Sequence, residues 1–321
     1  MPDRSRAAVI VPVKDSVADL ARCLESLRPC ADGRTSIVVV DDGSRTALAA
    51  EPSIAPFVGL EGFVFLRHDV NRGPGAARNT GIAWARQRGI ELAVLLDADC
   101  RVETDFADGH RDVLARHPRA ACAGGAIRGE GRGFWAWLDG KMSWFTSLPG
   151  SAEREIRPPY HIPTTNMSLR LAMFPEGPMF DETLRTGEDV AFIAGVRARG
   201  HGIVFAPSPT IVHSDRASFA GFFRHQYRWG LHTYVVRRGL DRLDFGSRAR
   251  FFLIFLAASP AYVLLATGLN LLPMMRRAPI EVVLAPILLL AYAVKAVAVL
   301  DGTLFPEKAL FRQAASRSPE S

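Results

Sequence analysis

The sequence lacks any C-x-x-C pair. Its four cysteines, Cys23, Cys30, Cys100 and Cys122, lie far apart, without the ligand spacing of a zinc site, as expected of reduced thiols in a cytosolic compartment. It also lacks the stripe of aromatic and basic residues that an RNA-reading surface carries. Lys and Arg are scattered along the chain, which weighs against nucleic acid as a partner. No internal repeat occurs, and no low-complexity segment apart from the polar tail "RQAASRSPES", expected to be mobile. The opening "MPDRSRAAVIVPV" has too much charge and too short an apolar run for a signal peptide. Finally, residues 251–275, "FFLIFLAASPAYVLLATGLNLLPMM", contain no charged residue at all. A run of that length exceeds the roughly 20 apolar residues that cross a bilayer core.

What is present supports a real core. The 321 residues are 48% hydrophobic and 22% charged, which excludes a disordered chain and allows a large domain with an additional piece. The formal net charge of +6 suits anionic substrates or an anionic membrane surface. A second apolar run, residues 280–300, begins with Glu281 and carries Lys295 inside it. A central Lys costs about 2.5–3.5 kcal/mol on insertion scales. Arg248 and Arg250 precede the first run, and Lys308 and Arg312 follow the second. These flanks favour a hairpin with both ends in the cytosol. Arg276 and Arg277, in the connection, oppose that orientation.

Up to about residue 130, strand-length apolar runs alternate with helical patterns. "AAVIVPV" precedes "SVADLARCLESLR", with Ser16 as the expected N-cap; "TSIVVVDDGS" and "FVFLRH" precede "GPGAARNTGIAWARQRG"; "LAVLLDAD" precedes "DFADGHRDVLARH". Such an order predicts an α/β fold whose mostly parallel sheet is covered on both faces. Ligands in open α/β sheets bind outside the carboxyl ends of strands. Asp41 and Asp42 stand at one such end, Asp97 and Asp99 at another. By itself, Asp97-Ala98-Asp99 reads either as a turn or helix cap or as a Mg2+ or Mn2+ site shared with a phosphate group. Cys100 reads as a packing residue, since no local base accompanies it. "GPGAARN" departs from a dinucleotide fingerprint: Arg78 occupies the third glycine position, and the segment follows the third strand. Glu188 and Asp189 suit the first turn of a helix. The aromatic stretch "GFWAWLDGKMSWFTSL" is either core or a sugar- or lipid-facing surface.

Taken together, "VIVPVKD", "VVVDDGS", "NRGPGAARNTGI", "LLDAD", "TTNMSLR", "GEDVAF" and "HQYRWG" resemble, in order and spacing, a family 2 glycosyltransferase of GT-A fold over residues 7–235. The resemblance implies a nucleotide-sugar donor, most often a UDP-sugar, near Pro12, Val13 and Asp15. Asp42, with Asp41, would read the uracil edge, and Arg78 would contact base or phosphate. Asp97 and Asp99 match the D-x-D motif and would both hold Mg2+ or Mn2+, with Asp99 ranked above Asp97 for direct metal contact. His213 is an additional candidate ligand or phosphate contact. Asp189 resembles the catalytic base of an inverting displacement, with Glu188 orienting and Asn166 a polar contact. Arg228 and Trp229 match the Q-x-x-R-W segment of membrane polysaccharide synthases, but His225 replaces its Gln. That departure suits transfer of one or a few sugars.

The expectation is therefore a catalytic domain over residues 1–235, a membrane region over 236–305 with one or two spans, and a tail over 306–321. It would act at the cytoplasmic face of the cell inner membrane, on a hydroxyl of a lipid, lipid-linked or glycan acceptor. A processive synthase and a catalytically silent nucleotide-binding scaffold are the alternatives.

Overall fold

The computed structural model describes residues 5–103, 105–158, 160–238 and 244–311. The tail residues 312–321, Arg312 among them, lie outside the described residues.

The apolar runs form the strands anticipated. β1 (Ala7–Val13), β2 (Thr35–Asp42), β3 (Phe63–His68) and β4 (Leu92–Leu96) are joined through helices α1 (Val17–Leu27) and α2 (Pro74–Gln87). They pair in parallel in the order β3-β2-β1-β4. β5 (Cys100–Val102), α3 (Phe106–Arg116), β6 (Ala120–Glu130), α4 (Phe134–Ser143) and β7 (Arg154–Glu155) follow, then β8 (Asn166–Arg170), α5 (Glu188–Ala198) and β9 (Gly202–Ser214). The sheet continues from β4 through β8, β6 and β9 to β5. β8 runs antiparallel to both β4 and β6, while β6 and β9 are parallel, so this half of the sheet is mixed.

Alternate residues of the parallel strands enter two cores, as period-2 side chains must. Ile10, Val38 and Leu95 face Ala77 and Ile82 of α2 and Phe192 of α5. Val9, Val39 and Val94 face Leu20 and Leu24 of α1 and Phe106 of α3. At ~1.5–3 kcal/mol per fully buried large aliphatic side chain, these cores hold the strand ends firmly in place. Ser16 does precede α1, but its side chain makes no capping hydrogen bond.

The chain divides into two compact units. One reaches from the N-terminus to Phe180 and resumes over Asp189–Ser218; the other takes Asp181–Glu188 and the chain from Phe219 onward. The second unit contains α6 (Phe219–Leu231), α7 (Thr233–Arg238), α8 (Phe245–Arg277) and α9 (Ala285–Leu304). Phe245–Arg276 and Pro279–Leu304 are long and apolar enough to cross a membrane. α8, at 33 residues, is ~50 Å long at 1.5 Å per residue. Arg248 donates to the carbonyl of Leu304 at 3.3 Å, so the start of α8 and the end of α9 lie side by side. Asn270 donates to the Tyr292 hydroxyl at 2.6 Å, a polar clamp between the two apolar helices. Lys295 does not face outward. Its ammonium lies 5.0 Å from the ring centroid of Trp229 on α6, a cation–π contact that offsets part of its transfer cost. α6 approaches α9 closely because Gly230 and Gly302 lie at the crossing. A Cβ on Gly302 would stand 2.1 Å from the Leu231 carbonyl oxygen.

Candidate active site

The D-x-D residues occupy the turn between β4 and β5. Cys100 N–H donates to the Asp97 carbonyl at 3.1 Å, closing that turn. Neither aspartate caps a helix: the residue before α3 is Asp105. Both carboxylates keep partial exposure, 31% for Asp97 and 38% for Asp99, so both stay open toward a ligand at the strand ends.

Asp97 accepts from Arg78 of α2 at 2.9 Å and from the Thr165 hydroxyl at 2.8 Å. Arg78 is buried, with its guanidinium 5.8 Å from the Phe180 ring centroid. It is therefore not the solvated arginine that a helix start usually carries. Asp189, in the first turn of α5, shares this neighbourhood. Burial raises its carboxyl pKa above 3.8, the nearby Arg78 charge partly opposes that rise, and Asp97 adds to it. Val190 N–H donates to one Asp189 oxygen at 2.8 Å. The result is a carboxylate that holds a proton more readily than an ordinary Asp, the property a general base needs.

Asp99 belongs to a second cluster. β5 pairs with β9 so that Cys100 stands opposite His213. His213 Nε2 lies 3.4 Å from Asp99, and His213 Nδ1 lies 2.8 Å from Asp215. Trp144 Nε1 donates to Asp215 at 3.0 Å, and its ring packs 4.7 Å from the His213 ring. Gly129 and Gly140 make room for Asp215: a Cβ on Gly129 would stand 1.9 Å from its carboxylate. Burial opposes a charge on His213, but the hydrogen bonds and charges of Asp215 and Asp99 outweigh it, raising the pKa to about 10. In turn, burial works against ionised Asp99, but the His213 hydrogen bond and charge prevail and lower its pKa.

Candidate metal-ligating atoms of Asp99, Cys100 and His213 lie within 4.8 Å of one another. Burial pushes the Cys100 thiol well above 9, with the Asp99 and Asp97 charges adding to the effect. It therefore remains a packing residue, as expected, and thiolate would in any case mismatch a hard cation. Once His213 Nε2 gives up its proton, Asp99 and His213 form an oxygen–nitrogen pair suited to a divalent ion, with Asp215 holding the far ring nitrogen as carboxylates do behind metal-bound histidines.

Other anticipated residues have different surroundings. Asn166 is fully buried: its amide donates to the carbonyls of Ala126 at 2.9 Å and Pro209 at 3.3 Å. Its oxygen is 2.9 Å from His110 Nε2. Burial lowers the His110 pKa to about 3, so that imidazole is neutral. Asn166 thus braces the sheet instead of contacting a ligand, and Thr165, one residue earlier, supplies the polar contact to the site. Asp42 accepts from the N–H groups of Arg72 at 2.9 Å and Gly73 at 2.7 Å, and His68 Nδ1 lies 2.7 Å away. Asp41 accepts from Ser44 and Leu48 N–H groups at 2.9 and 3.1 Å and from the Arg67 guanidinium. Both carboxylates are buried and bind the protein's own donors. They shape the rim instead of standing free for a uracil edge. Pro12 and Val13 end β1, and Asp15 follows at φ 58° with its carboxylate accepting from Arg45 N–H at 2.9 Å.

In the second unit, Arg228 is exposed and Trp229 half-buried on α6. The His225 ring lies 4.2 Å from the Trp229 ring, tilted at 55° to it. Within "GFWAWLDGKMSWFTSL", Leu138, Met142 and Trp144 are core, while Phe134 and Trp137 are exposed. Sequence reasoning missed Thr165, Asp215 and Trp144. Thr165 and Asp215 each adjoin or nearly adjoin a residue already singled out; Trp144 lies within the aromatic stretch read as core or surface, but nothing local linked it to His213.

A parallel sheet continued by a mixed half, with acids at its strand ends, is the GT-A-like architecture of glycosyltransferases. The chain belongs to glycosyl transferase family 2, whose family model matches residues 8–174. Among curated relatives, it is 24% identical over 240 residues to a pre-mycofactocin glycosyltransferase of Mycobacterium tuberculosis, covering 71% of this chain and 47% of that protein. It is 28% identical over 249 residues to the succinoglycan biosynthesis protein ExoO of Rhizobium meliloti, covering 73% of this chain and 64% of that protein. The chain therefore spans between about half and two thirds of these relatives' lengths. Among solved structures, a mannosyltransferase from Pyrobaculum calidifontis, in complex with GDP-Man and Mn2+, matches with TM-score 0.58 and 18% identity over 94% of this chain and 89% of that one. TarS 1–349 of S. aureus, in complex with UDP, matches with TM-score 0.51 and 18% identity over 96% and 93%.

Proposed function

We propose that the protein is a membrane-associated, metal-dependent, inverting glycosyltransferase. It moves one sugar, or a few, from a nucleotide-sugar, a UDP-sugar in the first instance, to a hydroxyl of a lipid, lipid-linked or glycan acceptor. The observation that carries this reading is the geometry of the D-x-D turn, where Asp97 holds Arg78 at 2.9 Å and Asp99 faces His213 at 3.4 Å, with both carboxylates partly exposed. Burial of Asp189 beside the Arg78–Asp97 pair, which raises its pKa, is consistent with a base there.

Asp189 takes the proton of the acceptor hydroxyl. The acceptor oxygen attacks the anomeric carbon, and the nucleoside diphosphate leaves from the opposite face with the bonding electron pair, inverting the configuration. Arg78, fixed by Asp97, supplies a guanidinium toward the donor phosphates. Asp99 and His213 would hold Mn2+ or Mg2+, which supplies countercharge to the departing diphosphate. Mn2+ alongside GDP-Man in the mannosyltransferase of similar fold, and UDP in TarS, support this reading. Glu188 orients the base helix. Pro12, Val13 and Asp15 form the floor of the nucleotide site.

Membrane association is supported by the exposed apolar face of α8, which includes Leu253, Ile254, Leu264 and Leu265. A face that size in water would be an aggregation surface. The pairing of Arg248 with the end of α9 supports a hairpin of two spans. We place the catalytic unit on the cytoplasmic side of the inner membrane, with the basic residues at that end of the hairpin inside.

The test is a panel of UDP- and GDP-sugars assayed for Mn2+-dependent donor hydrolysis and transfer by the full-length protein and by Asp189→Asn. The expected result is turnover of at least one donor, lost in the variant while UDP binding persists. Near-wild-type turnover by Asp189→Asn would refute the base assignment, and absence of hydrolysis for every donor would favour a silent nucleotide-binding scaffold.

A further inference from the structure

A cavity of about 270 Å3 opens in the second unit where α7 meets the start of α8, lined by Tyr234, Arg238, Ser247, Arg250, Phe251 and Ile254. Its lining changes character along its length. Arg238, Ser247 and Arg250 supply two guanidinium groups and a hydroxyl, while Phe251 and Ile254 begin the uncharged run of α8. The wall is built and not a chance gathering of surface arginines. Tyr234 is fully buried and packs its ring 4.9 Å from Phe251. The Arg238 guanidinium lies over that same Phe251 ring at 5.3 Å. The cavity therefore sits at the level where the apolar helix begins. Arg248 and Lys308 lie near the same end of the helix pair, Arg248 bonding Leu304 and Lys308 bonding Asp301 at 2.7 Å.

We propose that this cavity binds the phosphate headgroup of an anionic membrane lipid. Arg238, Arg250 and the Ser247 hydroxyl grip the phosphate oxygens, and Phe251 and Ile254 receive the first methylenes of the acyl chains. Guanidinium groups suit phosphate because their forked donors match its geometry and charge. The boundary position matters equally: a soluble phosphate gains nothing from Phe251 and Ile254, whereas a lipid buries apolar surface there. The proposal rests on the reading of α8 and α9 as membrane spans, and it is independent of the transferase chemistry.

The experiment uses the full-length protein in detergent, with native mass spectrometry measuring binding of dioctanoyl phosphatidylglycerol, dioctanoyl phosphatidylcholine and inorganic phosphate. Wild type and the control Arg276→Gln, whose substitution lies at the far end of α8, are expected to bind phosphatidylglycerol at least tenfold more tightly than either other probe. The double variant Arg238→Gln/Arg250→Gln is expected to lose that preference. Both arginines are exposed, so their replacement removes no core packing. Ser247→Tyr, which fills the cavity but keeps both charges, is expected to lose binding as well. Unchanged phosphatidylglycerol affinity in either variant would overturn the site. Inorganic phosphate binding as tightly as phosphatidylglycerol would overturn its assignment to a lipid. Resistance of wild type to carbonate extraction from membranes tests the spanning helices separately.

Discussion

Asp189 is held in a conflict that the fold imposes. Burial raises its pKa above the 3.8 of a free Asp, with Arg78 only partly opposing. A carboxyl whose folded pKa lies above its unfolded one destabilises the folded state as pH rises through that window, because the unfolded chain releases the proton first. Two expectations follow with opposite signs. Transfer by the wild type should fall on the acid side at a pH above the usual carboxylate range, as protonation removes the base; a pH–rate profile reads that limb. Asp189→Asn should lower turnover by about 100- to 10,000-fold, the range for losing a general base, while leaving the thermal midpoint equal or higher. His213 poses a different problem. Its Nδ1 faces Asp215 at 2.8 Å, leaving Nε2 toward Asp99. Asp215→Asn should weaken Mn2+ binding ~10–100-fold, the usual effect of losing the group behind a metal-bound imidazole, measured by Mn2+ titration without any donor. Asn166→Ala, by contrast, should act on stability: leaving buried partners of Asn166 unsatisfied costs about 1–3 kcal/mol, measured by thermal unfolding with donor affinity unchanged in the folded fraction.

At the scale of elements, the apolar helices decide how Lys295 is tolerated. α6 lies along α9 and offers Trp229 to its ammonium, which places the Lys between helices. That packing depends on backbone proximity at Gly230 and Gly302. Gly302→Ala would force its Cβ against the Leu231 carbonyl oxygen, 2.1 Å away. Overpacking of this kind costs about 1–3 kcal/mol, and a lower thermal midpoint of the detergent-purified protein is the expected reading. The strands were legible because their apolar runs are short and bounded by turn residues: "VIVPV", "SIVVV" and "AVLL" all fall within strands. The mixed half of the sheet was not. β6, "AACAGGAIRGE", is rich in Ala and Gly, and small residues give neither helical periodicity nor a β-branched signal. It acquires strand structure from pairing with β8 and β9, whose residues come from far along the chain: Cys122 pairs with Leu169, 47 positions on, and Ala126 with Thr210, 84 positions on.

For the whole molecule, removal of divalent cations should abolish transfer and Mn2+ should restore it, an outcome read by donor turnover before and after chelation. Which acids serve the site was set by topology. Asp189 and His213 lie 90 and 114 positions beyond Asp99, and the sheet order β4-β8-β6-β9-β5 brings the His213 strand back to the D-x-D turn. The sequence by itself determined the strand–helix alternation, the acids at strand ends and two apolar runs of membrane length, because each is a local pattern of hydrophobicity or turn chemistry. The tertiary structure decided the rest. It turned Asp41, Asp42 and Asn166 inward to brace the fold, left Asp97 and Asp99 open, and placed Asp215 behind His213. Hydrogen-bond partners and burial are properties of side chains brought together from distant positions, and no local pattern encodes them.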